Sequence, residues 1–117
     1  MIEWFALDLK GFFSLPADVV PGDYQFAFAS DDGAILDLDG KTVLNHDGHH
    51  HTTWKCASQP VSLKAGDKLP MRIRYFQGPR VEIALQLFWR SWSQKSKPCD
   101  GSSKAQFEIV PAEAFSH

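Results

Sequence analysis

Hydrophobic and polar positions alternate with a period of two along most of the chain, and no long window carries the 3.6-residue period of an amphipathic helix. From Glu3 to Leu9, the side chains of Phe5, Leu7 and Leu9 alternate with Trp4, Ala6 and Asp8. Tyr24, Phe26 and Phe28 share one face of a strand ending at Ser30, with the small Ala27 and Ala29 opposite. Ala34 to Leu38 and Lys41 to Leu44 flank Asp39-Gly40, a two-residue hairpin signal. Trp54 to Leu63 predicts one further strand, ended by Ala65-Gly66-Asp67. Met71, Ile73 and Tyr75 alternate with Arg72 and Arg74, the pattern of a half-buried strand with one wet face. Ile83, Leu85, Leu87 and Trp89 form the strongest apolar stripe in the chain. Phe107 to Val110 predicts a short last strand, and Pro111 to Phe115 a single helical turn. Ser91 to Lys104, rich in Ser, Lys and Pro, reads as a surface loop. Short strands separated by Gly, Pro and Asp turns define an all-β fold, a sandwich or a barrel.

Composition narrows the class of partner. A chain of 117 residues with 44% hydrophobic and 22% charged residues is a single globular domain able to bury a core. A net charge of −2 and a pI near 6.2 argue against a nucleic acid or an anionic membrane as main partner. No apolar run approaches the roughly 18 residues of a membrane span, so membrane insertion is not expected. Met1-Ile2-Glu3-Trp4 has neither a basic start nor an apolar stretch, which leaves open a cytoplasmic protein or a module cut from a longer exported one. Cys56 and Cys99 are the only cysteines, and no CxxC pair supports a zinc site. One bridge and two thiols both fit, and the redox compartment decides between them.

Candidate chemistry concentrates between Asp23 and Asp47. Six aspartates (23, 31, 32, 37, 39 and 47) stand there against one basic residue, Lys41. Asp23, Asp39 and Asp47 read as turn residues whose carboxylates cap local backbone groups. Asp31-Asp32 is less easily explained: aimed at one point, the pair makes a hard-oxygen site suited to calcium. The EF-hand pattern is missing, so such a site must draw on loops distant in sequence. His46, His49, His50 and His51 could ligate a transition metal, but a run within one inter-strand loop reads as solvent-exposed. Asp31 and Asp32 are poorly placed for glycoside hydrolysis, which needs carboxyls across a cleft, and no GxSxG occurs, so the expected protein is not an enzyme.

The succession from Tyr24 through Ser30-Asp31-Asp32-Gly33 to Asp39-Gly40-Lys41 resembles the core motif of the PA-fourteen (PA14) domain family, named after anthrax protective antigen. The likeness continues through Asn45-His46-Asp47-Gly48-His49-His50, the Ala65-Gly66 turn and Arg72-Ile73-Arg74-Tyr75-Phe76. Gln77-Gly78-Pro79-Arg80-Val81 and the strand to Trp89 resemble bacterial adhesin and fibro-slime members. The resemblance spans roughly residues 2 to 115, with the family's N-terminal strand shortened before Trp4. It implies an antiparallel, jelly-roll-like β-sandwich over residues 1–117, excised from a longer exported protein. In lectin-like members an Asp-Asp pair joined by a cis peptide holds calcium, and the ion holds vicinal hydroxyls of a sugar.

Carried over by position, the resemblance assigns the metal to Asp31, Asp32, the Gln77 amide and carbonyls near Pro79 and Val81. Sugar contacts fall to Asp31, Asp32 and Gln77, with His49, His50, Arg80 and Trp92 in the surrounding loops. The implied cofactor is calcium, the implied partners are glycans of hexose or fucose type, and any oligomer would form through the parent chain. The implied setting is extracellular, on a surface or secreted adhesin. Two other roles share the same ion: a structural or protein-contact domain that it merely stabilises, and an accessory domain of a secreted glycosidase.

Overall fold

The computed structural model describes residues 5–30, 34–46, 53–77 and 86–116. Ten antiparallel strands form two facing sheets: β1 (Phe5–Ser14), β2 (Gly22–Ser30), β3 (Ala34–Leu38), β4 (Lys41–His46), β5 (Thr53–Cys56), β6 (Val61–Leu63), β7 (Lys68–Gln77), β8 (Gln86–Ser91), β9 (Glu108–Ile109) and β10 (Phe115–Ser116). One sheet has the order β10-β1-β7-β3-β4; the other runs β5-β2-β8-β9, with β6 also on β2. This is the expected β-sandwich, and among the described residues the only helical turns are short 3-10 ones.

Alternation decides which residues meet between the sheets. Phe26 and Phe28 of β2, Leu36 and Leu38 of β3, Met71 and Ile73 of β7, and Leu87 and Trp89 of β8 all point inward and are buried. Phe13 sits at the centre, edge-on to Phe26, Trp89 and Phe115 with ring centroids 5.5, 6.0 and 5.7 Å away. The β3–β4 hairpin turns at Asp39 and Gly40, both at positive φ (53° and 77°), as a tight primed turn requires. The Asp39 N–H donates to the Pro70 carbonyl at 2.8 Å. Pro70 therefore lies beyond the last β3 pair, Leu38 with Met71, where its missing N–H breaks no ladder bond.

Several boundaries differ from the sequence reading. β1 runs on to Ser14 because it pairs with β7 along its whole length, Phe5 with Gln77 through Ser14 with Lys68. Leu9 belongs to the apolar stripe yet is about half exposed (49%), since β10 reaches only Phe12 and Phe13. The strand expected over Trp54 to Leu63 is two strands, β5 and β6, interrupted at 57–60, where Pro60 lies, and both lie on β2. Asp23, expected at a turn, lies within β2 opposite Ser62. Ile83 and Leu85 fall outside the described residues.

The segment after β8 is no free loop. It carries 3-10 turns at Trp92–Gln94 and Ser103–Ala105 and packs over the outer face of the β2–β8 sheet. Arg90 (3% exposed) reaches out from β8 and donates to the carbonyls of Lys97, Pro98 and Ala105 and to Oε1 of Gln25. Its guanidinium lies 4.0 Å from the centroid of the Phe107 ring, while Trp54 packs between Phe88 and Phe107. Gly101 passes so close to Trp54 that a Cβ there would come within 3.1 Å of the indole. Cys56 of β5 and Cys99 of this strap form a disulfide, with Cα atoms 6.2 Å apart. The strap explains why Gln25, Ala27 and Ala29, on the outer side of β2, are as buried as the phenylalanines facing the core.

Two outcomes follow from this packing. Phe26→Ala removes a fully buried ring and is expected to cost about 3–5 kcal/mol, read as a shift of the denaturation midpoint. Unreduced protein should yield no alkylatable thiol by mass spectrometry, and reduction should lower stability by up to about 4 kcal/mol, given the 43-residue separation of the cysteines.

Candidate functional site

Three of the connections between the two sheets, β2–β3, β4–β5 and β7–β8, join strand ends at one end of the sandwich. β2 ends at Ser30 opposite Thr53, the first residue of β5. Ala34 opens β3 opposite His46, the last residue of β4, and opposite Tyr75 of β7 on its other side. Gln77 ends β7 two residues further on, and β8 begins with Gln86 opposite Ala29. The strand ends that flank 31–33, 47–52 and 78–85 thus lie together. These three segments hold the Asp31-Asp32 pair, the histidine run and the residues following Gln77.

Asp31, Asp32, His49, His50, Pro79, Arg80 and Val81 themselves fall outside the described residues, as do Asp47 and His51. For Gln77 the backbone is placed, at the end of β7 opposite Phe5. Trp92 is not brought to this end. It follows β8, which runs away from Gln86 to Ser91 opposite Tyr24, so it sits at the far end of β2, roughly 17 Å along the strand. An antiparallel strand carries its two flanking loops to opposite ends, so Trp92, expected in a loop around the Asp31-Asp32 pair, lies at the end opposite Gln86.

The remaining aspartates of the acidic cluster are accounted for elsewhere. Asp37 accepts from Arg74 Nη2 at 2.9 Å and from Thr42 Oγ1 at 2.7 Å on the outer face of the β1–β7–β3 sheet. Asp39 sits in the hairpin turn and Asp23 in β2. Removing these three leaves Asp31, Asp32 and Asp47 as the carboxylates flanked by the clustered strand ends. Among the described residues no group of three His, Cys, Asp or Glu side chains is placed to hold a metal ion. The donors that sequence assigns to calcium are all oxygens, two carboxylates with an amide and carbonyls, a set that fits a hard divalent cation.

The outer face near Asp37 carries a second ion pair, missed by the sequence reading. Arg72 grips Asp8 with Nε and Nη2 at 2.9 and 2.7 Å. The signal was present: Asp8 and Arg72 both occupy polar positions of alternating strands, but nothing local says those strands are neighbours. The Arg72 hydrogen bond holds the Asp8 carboxyl below its ordinary value of 3.8.

The two facing sheets define a β-sandwich in which the strand ends flanking 31–33, 47–52 and 78–85 lie together. Residues 3–102 match the PA14 domain model, and the chain belongs to the PA14 domain family. PA14 domains are non-catalytic modules, and this chain is not an enzyme. Among solved structures it is similar to an anti-sigma factor domain-containing protein (22% identity, TM-score 0.70), covering 95% of this chain and 33% of that one. It is similar to the PA14 sugar-binding domain from an RTX adhesin (22% identity, TM-score 0.64), covering 96% of this chain and 54% of that one. The A domain of epithelial adhesin 6 from Candida glabrata, solved with Galβ1-3GlcNAc, matches at 19% identity and TM-score 0.55 over 97% of this chain and 55% of that one. The chain thus spans between a third and just over half of these proteins, and at such identities the likeness is one of fold. No curated protein matches the chain.

The depressed carboxyl of Asp8 sets a pH dependence. Its contribution to stability is present above the unfolded value and is lost as pH falls through the lower folded one. Asp8→Asn should therefore lower the denaturation midpoint slightly at neutral pH and not at all well below pH 3.8, and added salt should shrink the difference because both side chains are over 40% exposed.

Proposed function

We propose that the chain is a calcium-dependent carbohydrate-binding module of a cell-surface or secreted adhesin. The observation that carries this reading is the gathering, at one end of the sandwich, of the strand ends flanking Asp31-Asp32, the histidine run and the segment after Gln77. Sites assembled from distant segments need such a frame, since none of the three holds enough oxygen donors alone. Membership of the PA14 family and likeness to a sugar-binding domain of an adhesin support the ligand class. The Cys56–Cys99 bridge supports an oxidising, extracellular setting.

Asp31 and Asp32 would cancel the charge of the ion, and Gln77 with carbonyls near Pro79 and Val81 would complete a shell of neutral oxygens. Bound there, calcium supplies positions at which vicinal hydroxyls of a hexose or fucose can replace water without changing the charge balance. His49, His50 and Arg80 flank these segments in sequence and would tune which sugar fits. A contact through two hydroxyls buries little area, so affinity near millimolar, about −4 kcal/mol, is expected. Many copies on one surface would convert that weakness into firm adhesion.

Titration calorimetry of calcium and of a monosaccharide panel, on wild type, Asp32→Asn and Gln77→Ala, tests the reading. Asp32→Asn should abolish calcium binding in the range of about 10⁻⁴–10⁻³ M typical of extracellular modules, and sugar binding with it. Gln77→Ala removes a neutral donor and should weaken both less. Sugar binding that is equal in calcium and in chelator, and equal in wild type and Asp32→Asn, would remove the ion from the mechanism.

A further inference from the structure

The far end of the sandwich, away from the clustered crossovers, holds a cleft of about 210 Å³ built by β2, β8, β9 and the strap. Its floor is aromatic: Tyr24 stacks on Trp89, with centroids 4.9 Å apart and planes 28° from parallel. The Tyr24 hydroxyl donates to the Val20 carbonyl, which fixes the ring and leaves the oxygen's lone pairs available. Gln94, Gln106 and Glu108 line the cleft around this floor. Gln106 spends its amide Nε2 on the Ser103 carbonyl at 2.8 Å, so Oε1 remains an acceptor. Its backbone lies in the left-handed region (φ 62°), where it closes the 3-10 turn Ser103–Ala105. Glu108 forms no ion pair among the described residues. Its charge, after burial, is the second influence raising the Tyr24 phenol, which agrees with the two groups being close neighbours.

We propose that this cleft is a second saccharide subsite, working without calcium. The residue types select the ligand. The part-exposed Tyr24 ring offers an apolar surface to the C–H side of a pyranose, the Gln94 amide and the Glu108 carboxylate can each engage two neighbouring hydroxyls, and Gln106 Oε1 can accept from one. One carboxylate among amides is too few hard donors for a divalent cation, and it offsets the Arg90 guanidinium that also lines the cleft, so neither sign of ligand charge is favoured. At about 210 Å³ the cleft is smaller than a usual small-molecule pocket, which limits it to one sugar ring seated at its mouth. Preorganisation comes from the strap, because Gln94 and Gln106 flank the segment whose carbonyls Arg90 holds and Cys99 staples to β5. The proposal rests on the chain being a carbohydrate-binding domain but not on its calcium site. Two subsites at opposite ends of β2 would let one domain bridge two glycans, a source of avidity independent of copy number.

The test is heteronuclear NMR of the labelled chain, titrated separately with methyl α-mannoside, methyl α-galactoside and methyl β-N-acetylglucosaminide, first in chelator and then in calcium. In chelator at least one glycoside should give saturable shifts at the Trp89 indole N–H and the Gln94 and Gln106 side-chain amides. Glu108→Ala and, separately, Gln94→Ala should each weaken that binding about tenfold, while sugar binding that depends on calcium stays unchanged. Both residues lie outside the core, and retention of the wild-type spectrum elsewhere verifies folding. Shifts absent from the cleft up to about 100 mM, far beyond a millimolar contact, would overturn the subsite. Shifts confined to residues beside 31–33, 47–52 and 78–85, and lost in chelator, would overturn it while leaving the calcium reading intact. Shifts at the cleft in chelator, with none at the other end in calcium, would establish the subsite and sink the calcium reading instead.

Discussion

A single buried guanidinium organises one whole face of this domain. Among the described residues no carboxylate forms an ion pair with Arg90; the oxygens of Gln25, Lys97, Pro98 and Ala105 take the place of water around its charge, and the Phe107 ring covers one side. Burial pulls its pKa down, with Asp100 opposing, yet a guanidinium remains charged at any physiological pH. A buried charge without such partners would be prohibitive, so the strap must adopt the path that delivers those carbonyls. The shape of residues 92–107 is thus imposed by β8 through hydrogen bonds from one side chain. The disulfide fixes the same segment from the neighbouring strand, and the two constraints act on adjacent residues, Pro98 and Cys99.

This constraint makes the two sheets unlike each other. The outer face of β1, β7 and β3 is wet, and its strands exchange ion pairs, Asp8 with Arg72 and Asp37 with Arg74, that are partly open to solvent. The outer face of β2 and β8 is roofed. There β2 carries Ala27 and Ala29, both buried, and Gln25, whose Oε1 accepts from Arg90. Gln25 in turn donates to the Ala57 carbonyl, where β5 has ended and β6 has not begun. The break between those strands, far from being slack, is tied into the Arg90 network.

These dependencies mark the boundary of what the sequence makes legible. Alternation in Tyr24–Ser30 and Met71–Tyr75 assigns faces correctly, because a strand packed on one core must alternate. Asp39-Gly40 declares its turn, because only residues tolerant of positive φ can occupy it. Alternation does not reveal whether the second face is covered by chain from elsewhere, so Ala27 reads as merely small and Arg90 as merely polar. The split at Pro60 and the late strand β10 escape for a related reason: each depends on a partner strand distant in sequence. The same limit applies to function. The Asp31-Asp32 pair is conspicuous because adjacent like charges demand an explanation, whereas Tyr24 and Glu108 become neighbours only once β2, β8 and β9 are laid side by side. Trp92 shows the converse error, a residue well chosen by type and placed at the wrong end by strand direction.

The architecture separates the terms that stability and recognition draw upon. Phe13, Phe26 and Trp89 bind the sheets together on the side away from the segments 31–33, 47–52 and 78–85, and the aromatic contacts among them involve no residue of those segments. Those segments join strands whose registers are fixed by pairings within the sheets, so their residues can vary without altering the frame that brings them together. At the other end the situation is reversed. Trp89 belongs at once to the core and to the floor of the far cleft, and Gln94 and Gln106 belong to the segment that roofs the β2–β8 sheet. Chemistry at the crossover end is therefore free to diverge between related domains, while chemistry at the cleft is tied to the packing that keeps Arg90 out of water.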